Sequence, residues 1–195
     1  MAEQVLNYDV QDHVGVITLN RPEAMNSLNY QLYAELEDAV RGSTARALVI
    51  TGTGRAFCAG DDVKEILGSS EPPPAEFKAR GARTGGLTPA ADALLYTDIP
   101  VIAAVNGAAV GWGMELALMA DIRVASEQAR FGELFVLRGL CCDAPGLGLR
   151  RTTEPDWRDT GRWAIEQITR LRQTEDSREG VRAFLEKRDP VYVGR

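Results

Sequence analysis

The sequence holds only one histidine, His13, and three cysteines, Cys58, Cys141 and Cys142. So few sulfurs cannot build a disulfide framework, and adjacent cysteines are poorly placed to bridge each other. A reducing compartment fits, and the cytoplasm is the expected one. Without Cys/His spacing there is no metal signature, so no metal is expected. The first twenty residues lack a basic segment followed by an apolar one, and no secretory leader is expected. Residues 99–114 carry no charge, but they are broken by Pro100 and by Gly107, Gly111 and Gly113 and are too short for a bilayer, so no membrane partner is expected. There is no basic excess either. Lys and Arg total 22 against 28 Asp and Glu, a net charge of −6, which argues against a nucleic-acid surface and leaves room for a local basic pocket.

What is present describes one globular core. At 195 residues the chain is long enough for a single sizeable domain that buries ~70% of its unfolded surface. Hydrophobic residues make up 45% and glycines number 19, so many tight turns are expected. Residues 5–10 and 14–19 read as a hairpin turning at Asp12-His13, with β-branched and apolar residues in alternation, and the hairpin should sit at a sheet edge. His13 reads as a surface residue of that turn. Residues 20–27 form a loop ending in Ser27, a plausible N-cap. A helix follows, in which Leu28, Leu32, Leu36, Ala39 and Val40 keep the spacing of one apolar face, and Gly42 ends it. Residues 45–51 are a buried strand. This strand, helix, strand order is the usual source of parallel pairing with a right-handed crossover.

Two glycine-bearing turns carry the chemical clue. In residues 99–121 a buried strand leads through Asn106-Gly107 to Gly111-Trp112-Gly113, where a helix starts with little side-chain encumbrance. The first amides of such a helix have no partners within it and stand at the positive end of its dipole, which suits an oxygen that becomes negative during a reaction. Glu115 is the only charge between Asp98 and Asp121 and falls in the first turn. A carboxylate among apolar neighbours there is placed for proton transfer near neutral pH, whereas at a solvated start it would only favour the dipole. Residues 55–66 repeat the device with Ala59-Gly60-Asp61, again leading into a helix. Two turns with exposed amides, at two successive crossings, can converge on one oxygen.

The segments Phe57-Cys58-Ala59-Gly60-Asp61-Asp62 and Asn106-Gly107-Ala108-Ala109-Val110-Gly111-Trp112-Gly113-Met114-Glu115-Leu116-Ala117 resemble the crotonase superfamily, the enoyl-CoA hydratase/isomerase family. Asn20-Arg21-Pro22 with Ala24-Met25-Asn26-Ser27, and Asp121-Ile122-Arg123-Val124-Ala125 with Phe131-Gly132, continue the likeness in order over about residues 5–148. The resemblance implies an α/β, crotonase-like (ClpP/crotonase) spiral of ββα units over residues 1–148, with a shortened C-terminal helical segment over 149–195. It implies an acyl-CoA thioester substrate whose carbonyl lies between the amides of Asp61 and Trp112. The coenzyme A portion would run along Ala24, Met25, Ala59, Gly60, Asp62, Val63 and Lys64, with Gly111 and Phe135 also lining the site. No separate cofactor is implied, since coenzyme A comes with the substrate. The implied assembly is a homotrimer or hexamer.

Two departures from the family pattern bear on mechanism. Hydratases of the family use two glutamates; the first matches Glu115, while the second falls on Phe135, and Glu133 lies two places early, where a carboxylate points elsewhere. Asp143, eight places after Phe135, matches the position of a catalytic aspartate in dienoyl-CoA isomerases, and the bland alternative is a turn residue before Ala144-Pro145-Gly146. The second departure is length. Residues 150–162 read as a short polar stretch leading to a final helix starting at Thr174-Glu175-Asp176, with Val181, Phe184 and Leu185 as its apolar stripe. Against the family pattern, several helices that usually cover the site and contribute to the trimer are expected to be missing, and with them a weakened oligomer and exposed apolar patches are expected. The implied activity is double-bond isomerisation or hydration through a thioester enolate. The alternative is an acyl-CoA-binding homologue of little or no activity.

Overall fold

The computed structural model describes residues 4–84, 87–142 and 157–195. Strands β1 (Leu6–Gln11) and β2 (Val14–Leu19) form the expected hairpin, antiparallel with Leu6 opposite Leu19. Asp12 and His13 both take positive φ, at 50° and 67°, the tight two-residue reversal that matches strand twist. Helix α1 (Tyr30–Arg41) follows. Its N-cap is Asn29, whose side chain accepts from Leu32 N at 2.9 Å, rather than Ser27. The reason is local: residues 20–28 are bound into a compact turn by their own backbone hydrogen bonds and by Leu28 N donating to Gly60 O at 2.8 Å, so the helix begins two residues later than its apolar spacing implies. Gly42 ends it as expected.

From β3 (Ala47–Gly52) onward each unit places one strand in a large sheet and the next in a small one. Strand β4 (Ala56–Cys58) crosses to the small sheet; β5 (Val101–Val105) returns to the large one, β6 (Ala108–Val110) crosses again, and helix α4 (Trp112–Met119) closes that unit. Strand β7 (Ile122–Ala125) and β8 (Arg130–Gly132) repeat the step. The large sheet has order β1-β2-β3-β5-β7 and the small one β4-β6-β8, with every pairing after the hairpin parallel. This is the expected spiral of ββα units.

Between β4 and β5 lie a single π turn, Val63–Leu67, and two short helices, α2 (Ala75–Gly81) and α3 (Pro89–Tyr96). The helix expected after Asp62 is therefore only five residues long. Leu19, Leu32, Leu36, Leu48, Ile50, Val101, Val105 and Leu116 make one core between α1, α3, α4 and the large sheet.

Two further helices complete the chain, α5 (Trp157–Leu171) and α6 (Glu175–Glu186). The stretch read as short and polar, 150–162, therefore runs into the first turns of a 15-residue helix. Helix α6 starts at Thr174 as expected, its hydroxyl accepting from Ser177 N at 3.0 Å. Its buried face, however, is Ser177, Glu179, Gly180 and Ala183, while Phe184 and Leu185 stay half-exposed. Close backbone approach decides this. A Cβ on Gly180 would meet the Arg138 backbone at 2.6 Å, so the helix docks by its smallest residues, and Arg138 lies over the outward Phe184 ring at 4.2 Å. The division between residues 148 and 149 lies outside the described residues.

Candidate active site

The first turn is fixed by buried amides. Asn26, fully buried at φ +57°, accepts from Arg21 N at 2.9 Å through Oδ1 and donates through Nδ2 to Thr53 O and Ala56 O, each at 2.9 Å. Asn106 does the same from the other strand: its Oδ1 accepts from Gly52 N at 3.2 Å and its Nδ2 donates to Gly54 O at 3.0 Å. These asparagines hold the exits of β3 and β5 in register, because a side-chain amide satisfies backbone groups that the turning chain leaves unpaired. Both are positioning residues that the sequence reading treated only as turn formers. Their signal was present, as asparagine at a place where the chain reverses.

Loop and turn are tied by charge. Arg21 Nη2 pairs with Asp62 Oδ2 at 3.0 Å, each side chain 16% exposed, and Arg21 Nη1 donates to Ser27 O at 2.6 Å. Asp62 Oδ1 also accepts from Lys64 N at 3.2 Å. The Asp62 carboxylate is thus committed to shaping the turn. Met25, at φ +51°, is 38% exposed, Lys64 is exposed, and Ala24, Ala59 and Val63 are half-buried between them. Arg55 is exposed beside Met25, its Nη2 3.6 Å from the sulfur. Arg55 and Lys64, both exposed, place positive charge beside this loop, while Arg21 is paired with Asp62.

The two glycine turns meet. Gly60 has φ +86°, and a Cβ there would stand 2.7 Å from Val110 O and 3.2 Å from Trp112 N. Only glycine allows this approach. Gly111, at φ 54° and ψ −126°, is the N-cap of α4; its amide donates to Gly132 O at 2.8 Å and its carbonyl accepts from Met114 N and Glu115 N. The Trp112 amide, first in the helix, lies outside the helix's own ladder. A Cβ on Gly113 would collide with Cys58 O, so this position too is shaped by the neighbouring turn. Cys58 is fully buried, and that burial pushes its thiol up to about 12, with the charge of Asp61 adding to the effect. It is no nucleophile at neutral pH.

Two cavities flank the meeting point. One of about 60 Å³ is bordered by Ala59, Gly60, Asp61, Gly111, Trp112 and Phe135. The other, about 310 Å³, is mainly apolar and is bordered by Tyr30, Tyr33, Asp61, Phe77, Trp112 and Phe135 among others. They share Asp61, Trp112 and Phe135 as a common wall. Trp112 is 2% exposed and packs edge-on against Tyr33, centroids 4.9 Å apart, and its indole Nε1 meets no acceptor among the described residues.

Glu115 is fully buried one turn beyond Trp112, so it is not a solvated dipole acid. Glu133 is exposed. Asp143 lies outside the described residues. Among the described residues no cluster of His, Cys, Asp and Glu could hold a metal ion, and no helix is long and apolar enough to cross a membrane.

Known proteins share this sequence pattern and this fold. Residues 9–153 match the family described as Enoyl-CoA hydratase/isomerase. The chain is 33% identical to a probable enoyl-CoA hydratase of Rhodobacter capsulatus in an alignment of 264 positions that covers 100% of both. It is 40% identical over 154 residues to a probable enoyl-CoA hydratase of Rhizobium meliloti, covering 76% of this chain and 55% of that one. Against several other curated relatives the matched part of the chain spans about half their length. Among solved structures, carnitinyl-CoA hydratase from Mycobacterium avium superposes with a TM-score of 0.80 at 27% identity, covering 100% of both chains. With three quarters of its length matched, its ββα spiral shared and its two turns in place, the chain belongs to the enoyl-CoA hydratase/isomerase family.

Proposed function

We propose that the chain is an acyl-CoA-processing enzyme that stabilises a thioester enolate for double-bond isomerisation or hydration. The observation that carries this is the approach of Gly60 to the Trp112 amide beside two cavities that share Asp61, Trp112 and Phe135 in their lining. In this reading the thioester oxygen lies between the amides of Asp61 and Trp112, and the acyl group fills the larger, apolar cavity. Coenzyme A enters as part of the substrate and lies along Ala24, Met25 and residues 59–64, where Arg55 and Lys64 are at hand for its phosphates. Glu115 carries one proton, and Asp143 is the residue the family likeness offers for another. Amides aimed at a developing oxyanion need no reorganisation during reaction, which is why loss of one such donor typically lowers turnover ~100- to 1000-fold.

A homotrimer or hexamer, weaker than is usual in the family, completes the reading. Ile122 and Val124 on β7, together with Val136 and Leu137, expose the apolar surface that such an assembly would cover. The second reading, an acyl-CoA binder of little or no activity, is favoured by Phe135 standing where hydratases carry a glutamate. A turnover screen with enoyl-CoA and dienoyl-CoA substrates of several lengths, paired with direct measurement of coenzyme A binding, separates the two. Turnover supports the enzyme; binding without turnover supports the binder; absence of binding refutes both.

A further inference from the structure

Asp61 enters the proposed reaction through its backbone amide, yet its side chain also stands on the wall common to both cavities. Tyr33 Oη donates to Asp61 Oδ1 at 2.6 Å. That hydroxyl has little freedom to turn away, because Tyr33 is 1% exposed and held edge-on between Trp112, at 4.9 Å, and Phe77, at 5.9 Å. A carboxylate that accepts such a bond is fixed in direction and favoured in its charged form, the state a base must be in. Its position is equally constrained. Asp61 follows Gly60, where an added Cβ would stand 3.2 Å from the Trp112 amide nitrogen, and Asp61 and Trp112 border both cavities together. Phe135, on the same wall, has no proton to give or take.

We propose that the Asp61 carboxylate, oriented by the Tyr33 hydroxyl, is the base that removes the Cα proton of the bound acyl-CoA. The inference rests on the proposed seating of the thioester between the two turns. In the step the Cα–H bond breaks, the proton passes to a carboxylate oxygen of Asp61, and the electron pair moves into the thioester to form the enolate. The resulting negative oxygen is held at the Trp112 amide. Returning the proton to Cα restores the substrate; delivering it to Cγ of a 3-enoyl thioester leaves the double bond between Cα and Cβ. No other reactant is consumed. Tyr33 is a positioning residue, acting only through Asp61. Among the described residues, the titratable or charged groups that border the same cavities or act on the same neighbours as this carboxylate include Tyr30 on α1, Cys58 on β4, Glu65 on the π turn, Lys78 on α2, Arg138, and Arg172 after α5.

Exchange of the Cα protons of butyryl-CoA with D2O, followed by NMR, tests the step without requiring hydration or isomerisation. Butyryl-CoA binding is measured alongside by calorimetry. Asp61→Asn keeps an acceptor for Tyr33 and so keeps the local packing; it is expected to slow exchange ~100- to 10,000-fold with binding retained. Tyr33→Phe is expected to slow exchange less and to move the acid limb of its pH profile to higher pH, since a lost hydrogen bond to the charged form raises the pKa of the carboxyl. A purely structural role for Tyr33 would lower the amplitude without moving that limb. If wild type binds and exchanges while Asp61→Asn exchanges equally fast, the proposal is overturned; the same holds if Asp143→Asn alone stops exchange, or if wild type binds without exchange. If wild type does not bind, the proposed function itself fails.

Discussion

Two successive repeats of the spiral, β5-β6-α4 and β7-β8 with its following 3-10 turn Phe135–Arg138, share one plan and differ in burial. Their first strands lie side by side in parallel, Ile102 opposite Ile122. Yet β5 alternates buried and half-buried residues, whereas all of β7 is exposed, with Ile122 at 56% and Val124 at 60%. Helix α4 buries Trp112, Glu115, Leu116 and Met119; the corresponding turn of the next repeat buries none of its residues. Backbone pairing builds both units equally, because hydrogen bonds between strands do not depend on side chains. What covers the strand afterwards decides whether its apolar residues stabilise the fold, and the β7 strand is the last in its sheet.

The sharpest way to break the first repeat is at its turn. Gly111→Pro removes the amide that donates to Gly132 O and forces φ from +54° to a negative value, so turnover should fall by more than the ~100- to 1000-fold of a single lost oxyanion donor. Trp112→Ala, which keeps the amide, should be milder in the same assay. Next comes the core. Leu116, 1% exposed, should cost about 2–5 kcal/mol on truncation to Ala, measured by urea unfolding.

The comparison can be sharpened at α6, which packs against the 3-10 turn of the second repeat. Glu179 is held well below the usual carboxylate range, chiefly by hydrogen bonds from Arg188, then from Arg182 and Val191 N. A lowered folded pKa means that its contribution is fully present above the unfolded value of about 4.3 and is lost as pH falls through the folded one. Amide exchange in α6 should therefore rise in acid below about pH 4 before exchange in α4 does, and Glu179→Gln should remove that difference. The cysteines divide along the same line. Iodoacetamide at about pH 8 should label exposed Cys142 and spare Cys58 in the folded protein, read by peptide mass mapping. The smallest effect belongs to the second repeat's strand: Ile122→Ala and Val124→Ala should each stay within ~0.5 kcal/mol in the unfolding assay that registers Leu116→Ala. A loss comparable to that of Leu116 would show that β7 is covered in solution.

Much of the architecture was legible because its signals are local. The hairpin turn at Asp12-His13, the apolar face of α1, the Gly42 stop and the two small-residue turns are each readable within a dozen residues. The N-cap of α1 was misplaced because a tertiary bond, Leu28 N to Gly60 O, claims the residue before it can join the helix. The stripe on α6 was misassigned because hydrophobicity predicts which face wants burial, while Gly180 and Gly139 decide how closely two backbones can approach.

The sequence by itself determined the family pattern: two glycine turns, each after a buried strand, and a lone carboxylate one turn into the second helix. Only the tertiary structure decided that Gly60 faces the Trp112 amide and that Tyr33, 28 residues before Asp61, holds that carboxylate at the cavity wall. The physical reason is range. Turns and helix starts are set by φ and ψ preferences of neighbouring residues, whereas a hydroxyl from α1 meets a carboxylate from the β4 turn only after the sheet and its covering helices have packed.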